Sequence, residues 1–215
     1  MPRKTKKKQE KKQIKVKEPD FDSQTKFILI FMAILILVIL FTYLAVKESK
    51  KFNYLGAEFY KNDGRCPSKF YLGEFPLGDD QYLRFCFRQD PRDINITIQG
   101  PIFLTDRVAL AMDSSYTEKC EDSILSATTL SVFLNQLGAT AYGATINKTD
   151  ALATNRTYVN CSTTLNSIVA FTDSNKNLIK KQENCYIIES KDCGIINATE
   201  KFMMGMWASS KGIKL

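Results

Sequence analysis

The twenty residues from Phe27 to Val46, FILIFMAILILVILFTYLAV, carry no charged side chain, and a chain holding such a run has few ways to bury it. At about 1.5 Å of rise per residue, a helix of twenty residues covers the roughly 30 Å of a bilayer's hydrocarbon core. Ile, Leu and Phe recur on every side of that helix rather than along one stripe, as a surface facing lipid all round requires. A core helix of this length in a soluble protein would carry a polar face. A cleaved signal peptide would have an apolar stretch of roughly 7–15 residues closed by a small-x-small site. Here Tyr43, Leu44 and Ala45 run directly into Val46 and Lys47. The sequence therefore predicts one retained transmembrane helix over residues 27–46, a signal anchor, with no second run of comparable length.

Charge gives the expected orientation. Residues 1–26 hold ten Lys or Arg against four acids, a net of +6 out of the chain's +7. The basic balance thus belongs to a tail and not to a basic domain, and no specific nucleic-acid partner is expected. The far flank has Lys47, Lys50 and Lys51, so the positive-inside rule places the N-terminus in the cytoplasm and the bulk of the chain outside, in the cell membrane. The tail is low in apolar residues and is expected to be disordered. It serves as a topology signal, and its lysines offer contact with anionic lipid headgroups.

Residues 47–80 mix aromatics with Gly and Pro, which predicts an irregular stalk with short extended pieces, packed onto the domain that follows. Residues 81–215 are expected to form one α/β (or α+β) domain, with a mixed sheet of about five to six strands and two main helices. Tyr82–Arg88 and Ile94–Gln99 are rich in β-formers and are split by QDPRD, which suggests an antiparallel pair. Val108–Met112 is a short apolar run of the kind buried on both faces. Ser115 and Glu118 form a capping box ahead of a helix that places Ile124, Ala127, Leu130, Leu134 and Leu137 on one face and stops at Gly138. Ala139–Ile146 completes a strand-helix-strand crossover. Asn147–Thr164 is expected as surface loop with an edge strand at Tyr158. Ser167–Thr172 and Cys185–Glu189 are strands joined closely enough for a hairpin. A last helix from about Asp192 puts Ile195, Thr199, Phe202 and Met206 inside and Asn197, Glu200 and Lys201 outside.

The six cysteines, Cys66, Cys86, Cys120, Cys161, Cys185 and Cys193, all follow the span. An even number confined to the outer part predicts three disulfides, with fifteen possible connectivities. Zinc fits poorly, because there is no C-x-x-C pair and no histidine; no metal and no cofactor is expected. Cys120 and Cys193 are each expected in the first turn of a predicted helix, where the dipole lowers a thiol pKa. Glu118, Glu121 and Asp122 oppose a thiolate at Cys120, and structural pairing suits both positions. Asn-x-Ser/Thr sequences stand at Asn95, Asn147, Asn155, Asn160 and Asn197, against roughly 1.7 expected by chance from the composition. They point to a glycosylated domain.

Ligands of open α/β sheets sit beyond the carboxyl ends of the parallel strands. Those ends carry Asp113 and Ser114, Asp150, and Asp173, with Glu189 nearby. Acid and hydroxyl groups gathered there suit a cation or a polar ligand, although polar loops after strands are the general rule. No catalytic residues are assigned, since the lack of histidine removes the commonest general base. Two functions stay open: a membrane-anchored cell-surface or envelope protein acting by binding or structural interaction with a protein partner, and a membrane-tethered enzyme using thiol-disulfide or carboxylate chemistry.

Overall fold

The computed structural model describes residues 21–78, 80–162 and 164–214, and the chain divides into two units, residues 1–48 and 49–215. The expected disorder of the basic tail falls outside the described residues as far as residue 20. The described residues of the first unit form one helix, α1 (Phe21–Ser49), which begins within the segment expected to be tail and ends on the first residue of the second unit. Its stretch Gln24–Ala45, 22 residues, is long and apolar enough to cross a membrane, and none of it is buried. The hydroxyl of Thr42 donates back to the carbonyls of Val38 and Ile39 at 3.0 and 2.9 Å, so this polar side chain is satisfied within the apolar run.

The second unit is an α/β domain with two sheets. Its first sheet joins β1 (Lys51–Tyr54), β2 (Ala57–Lys61), β3 (Tyr71–Gly78) and β4 (Gln81–Phe87), all antiparallel in chain order. The stretch 47–80, expected as an irregular stalk with short extended pieces, is therefore half strand, in three regular strands of one sheet. Two local devices explain it. Leu55 and Gly56 both have positive φ, 50° and 75°, the two-residue turn whose twist matches an antiparallel pair. Alternating Ala57 and Phe59 of β2 then point inward beside Tyr71 and Phe75 of β3. Gly73 stands among them because a Cβ there would lie 2.9 Å from each of the rings of Phe59, Phe75 and Phe87. The Cys66–Cys86 bridge ties the β2–β3 loop to β4.

The second sheet has seven strands. Along the chain come β5 (Thr97–Gln99), β6 (Arg107–Ala111), α2 (Ser114–Lys119), α3 (Asp122–Gln136), β7 (Thr140–Thr145), α4 (Lys148–Thr154), β8 (Thr157–Tyr158), β9 (Ser167–Asp173), β10 (Leu178–Gln182), β11 (Cys185–Ser190) and α5 (Ile195–Ser210). Its spatial order is β5-β10-β11-β9-β6-β7-β8. The five strands from β11 to β8 run parallel, and β10 lies antiparallel to β11. The expected pairing of 82–88 with 94–99 does not form: β4 pairs with β3, while β5 pairs with β10 in the other sheet. Asp90 holds the intervening turn by accepting from Arg92 N–H and Nε at 3.0 and 2.9 Å. The hairpin expected between 167–172 and 185–189 is also replaced. Those two strands are parallel neighbours, and β10 supplies the return pass.

Helices differ from expectation in ways that follow from what covers them. The helix expected as one piece is split at Cys120 and Glu121 into α2 and α3, and Ser115 makes no cap; the residue before α2 is Asp113. The buried face of α3 is Ser123, Ser126, Leu130, Phe133 and Leu134, while Ile124 is 59% exposed. Gly138, at φ +86°, ends α3 as expected. A further helix, α4, occupies part of the expected loop, capped by Asn147 Oδ1 accepting from the N–H groups of Thr149 and Asp150.

The largest difference is α5, which is buried on nearly all sides, Glu200 included. The reason is its place between the two sheets. Phe202 meets Tyr186 of β11 on one side, and Trp207 meets Phe75 of β3 on the other, with ring centroids 5.8 and 5.2 Å apart. A helix covered on both sides needs apolar residues all round, which FMMGMWA, residues 202–208, supplies. Cys120–Cys193 ties the α2–α3 junction to the start of α5, and Cys161–Cys185 ties the loop after β8 to β11. All six cysteines are paired.

Burial gives Glu200 an unusual titration. Its side chain is 2% exposed, Arg88 N–H donates to Oε1 at 2.7 Å, and Oε2 has no partner. Desolvation pushes its pKa up to about 7, against the weaker opposing pull of the Arg88 N–H. A carboxyl whose folded pKa is raised stabilises fully below its unfolded pKa and loses that contribution as pH rises through the folded value. From pH 5 to pH 8 its contribution should fall by about 2–3 kcal/mol. Glu200→Gln should remove that slope and be more stable than the parent at pH 8. The comparison of parent with variant in urea titrations across pH isolates this group from the other carboxylates.

Candidate functional site

The parallel strands place the candidate residues. From β6 the chain steps outward through β7 to β8, then returns to lay β9 against the other side of β6. The connections that leave β6 and β9 therefore diverge at their carboxyl ends, which is where α/β sheets open a crevice. Asp113 and Ser114 follow β6, Asp150 sits in the first turn of α4 after β7, and Asp173 ends β9.

Three of these four come together. The Ser114 hydroxyl makes a short hydrogen bond to Asp150 Oδ1, and Ser114 N–H donates to the same oxygen at 3.3 Å. Thr145, at the end of β7, donates its hydroxyl to Asp113 Oδ1 at 2.8 Å and accepts Asn147 N–H at 3.1 Å. Asp150 is buried, and its Oδ2 has no hydrogen-bond partner. The hydroxyl of Ser114 holds the Asp150 carboxyl below the usual carboxylate range, with Thr145, Ser114 N–H and Arg156 adding to the effect against desolvation. The group is thus an ionised carboxylate with one oxygen committed to Ser114 and the other enclosed without a hydrogen-bond partner. Two carboxylates and two hydroxyls form a hard oxygen donor set suited to a cation or to a hydrogen-bond donor on a ligand. No group of three or more acidic, Cys or His side chains with metal-binding geometry occurs among the described residues.

Asp173 does not join them. It pairs with Lys119 of α2, and Glu189 pairs with Lys180 at 2.5 Å. Between these groups the Tyr116 hydroxyl meets Ser190 Oγ at 2.7 Å in a buried contact, and burial raises the pKa of that phenol. Sequence reasoning missed Thr145, Tyr116 and Lys119. Thr145 stood in plain view at the end of a predicted strand, but its role depends on the register of β7 against β6, which pairs Ala111 with Ala144.

The thiol candidates are settled differently. Cys120 and Cys193 bond to each other, and neither lies in the first turn of a helix: Cys120 ends α2 and Cys193 precedes α5. Of the five sequon asparagines, Asn95, Asn147 and Asn155 are exposed, whereas Asn160 and Asn197 are half-buried. Comparison with protein-family models, curated proteins and solved structures finds no match to this chain.

Proposed function

We propose that this chain is a single-pass membrane-anchored protein, with its N-terminus in the cytoplasm and a glycosylated, disulfide-bonded domain outside, that acts by binding a protein partner in the cell envelope or at the cell surface. The observation that carries the binding reading over catalysis is the state of the groups on which chemistry would depend. Every cysteine is in a disulfide, and Asp113, Asp150, Asp173 and Glu189 each hold a partner within the fold. Asp113, Ser114, Thr145 and Asp150 are the proposed contact, since they gather at the carboxyl ends of β6 and β7. The charge asymmetry across the span supports the orientation, and three exposed sequons support glycosylation.

Topology is tested first. Protease added to intact cells should remove residues beyond about 50 and leave the tail, and glycosidase treatment should lower the mass of the remainder; protection of the whole domain overturns the orientation. The binding reading is tested by crosslinking in intact membranes followed by mass spectrometry. A partner captured by the parent chain and lost with Asp150→Asn is the expected result. Catalytic turnover that Asp113→Ala abolishes, with no partner recovered, would replace this reading by an enzymatic one.

A further inference from the structure

The C-terminal end of α5 turns back on itself. Gly212 adopts φ +68°, and Ile213 N–H donates to the Ala208 carbonyl at 2.9 Å, the glycine-capped helix end that reverses the chain. The reversal lays Ile213 on Gly56 of the β1–β2 turn, where a Cβ would stand 3.0 Å from Ile213 Cδ1. Beside the reversed segment lies a cavity of about 420 Å³ walled chiefly by Ile98, Pro101, Phe103 and Ile213, within the range of roughly 300–1,000 Å³ typical of small-molecule sites. Phe103 is 61% exposed. A second cavity of about 220 Å³ shares Ile98 and Lys214 with the first and adds Tyr54 and Lys201.

Polarity along this pair of cavities is one-sided. The described residues that line them include two lysines and neither Asp nor Glu. Lys201 Nζ donates to the Tyr54 hydroxyl at 3.1 Å, which leaves the phenol proton for another acceptor, and Lys214 has no ion pair among the described residues. Apolar walls at one end and two ammonium groups with a phenol at the other complement an anion carried on a hydrocarbon chain.

We propose that this groove binds a single-chain anionic amphiphile, a fatty acid. Its acyl chain lies along Ile98, Pro101, Phe103 and Ile213, and its carboxylate meets Lys214, Lys201 and the Tyr54 hydroxyl. The site is separate from the Asp113–Asp150 cluster and does not depend on the function proposed for it.

The test uses the full chain in phosphatidylcholine nanodiscs with a diazirine-bearing palmitate, followed by peptide mapping. Labelling of α1 reports ordinary contact with acyl chains and serves as the internal reference. Peptides covering residues 96–104 and 211–215 should be labelled as well. Palmitic acid should compete at those peptides, and the uncharged alcohol of the same length should not. The double variant Lys201→Gln/Lys214→Gln should reduce groove labelling about tenfold, the loss expected when a carboxylate loses two ammonium partners worth together about 1.4 kcal/mol, with α1 labelling unchanged. Phe103→Asp, at an exposed position that leaves the core intact, should do the same. Labelling confined to α1, equal competition by acid and alcohol, or groove labelling indifferent to both variants would each overturn the proposal.

Discussion

Phe75→Ala should lower the stability of the disulfide-bonded domain by about 4 kcal/mol, the middle of the range for emptying a buried aromatic site. Phe75 is fully buried, with ring centroids 6.0 Å from Phe59, 5.9 Å from Phe87, 5.9 Å from Phe133 and 5.2 Å from Trp207. Those neighbours come from β2, β4, α3 and α5, so the ring is where the small sheet meets the two helices. Collapse into the space is restricted because Phe59 and Phe87 already press on Gly73 from their own side. The single tryptophan of the chain, Trp207, is buried against Phe75 and gives the readout. Urea titration followed by its emission should show a lower midpoint at unchanged slope. A loss below about 1 kcal/mol would mean that the two layers are not energetically joined through this ring.

Opening the Cys120–Cys193 bridge by replacing both residues with alanine should cost about 4 kcal/mol, from the chain-entropy relation for the 73-residue separation it closes. The bridges Cys66–Cys86 and Cys161–Cys185, with separations of 20 and 24 residues, should cost about 3 kcal/mol each by the same relation. The order among the three is the sharper expectation, because Cys120–Cys193 alone joins α2 and α3 to α5. It also holds the turn before α5, where Asp192 and Cys193 both have positive φ, 51° and 57°, a region that disfavours residues other than glycine. Denaturant titrations of the three paired variants, measured side by side, decide it; equal losses would place the stabilisation elsewhere.

Length and charge made α1 visible in the sequence, and a short apolar strand, a helix with apolar residues at helical spacing and a glycine stop made the β6–β7 crossover visible. Both features are local. The first sheet was obscured because its strands are separated by glycines and prolines that ordinarily mark loops, although Leu55-Gly56 was in retrospect a hairpin signal. β4 was matched with the wrong partner because nearness in the chain favours adjacent pairing, whereas Tyr71–Gly78 had been given no strand to offer. The faces of α3 and α5 were misjudged for one reason: a period of 3.6 shows which residues share a side, but not how many sides are covered. Ser123 and Ser126 turn inward where α3 approaches α5, and Glu200 is enclosed because α5 has sheets on both flanks. Of the candidate site, Asp113, Ser114 and Asp150 were named from the rule about strand ends. Asp173 was placed there by the same rule but is drawn off by Lys119, a residue five positions along a helix from Ser114.

The seven-stranded sheet finishes in β5 at one edge and β8 at the other, with three and two residues. Edges this short give a neighbouring chain almost no ladder of free N–H and C=O groups to zip onto. The small sheet has a longer outer strand in β4, but Arg84 on it is spoken for by Glu74 and the strand carries a second cation, Arg88, just past its end. Strand exchange between copies would therefore have to start at the small sheet, where β4 leaves seven residues at the edge, and not at the seven-stranded one.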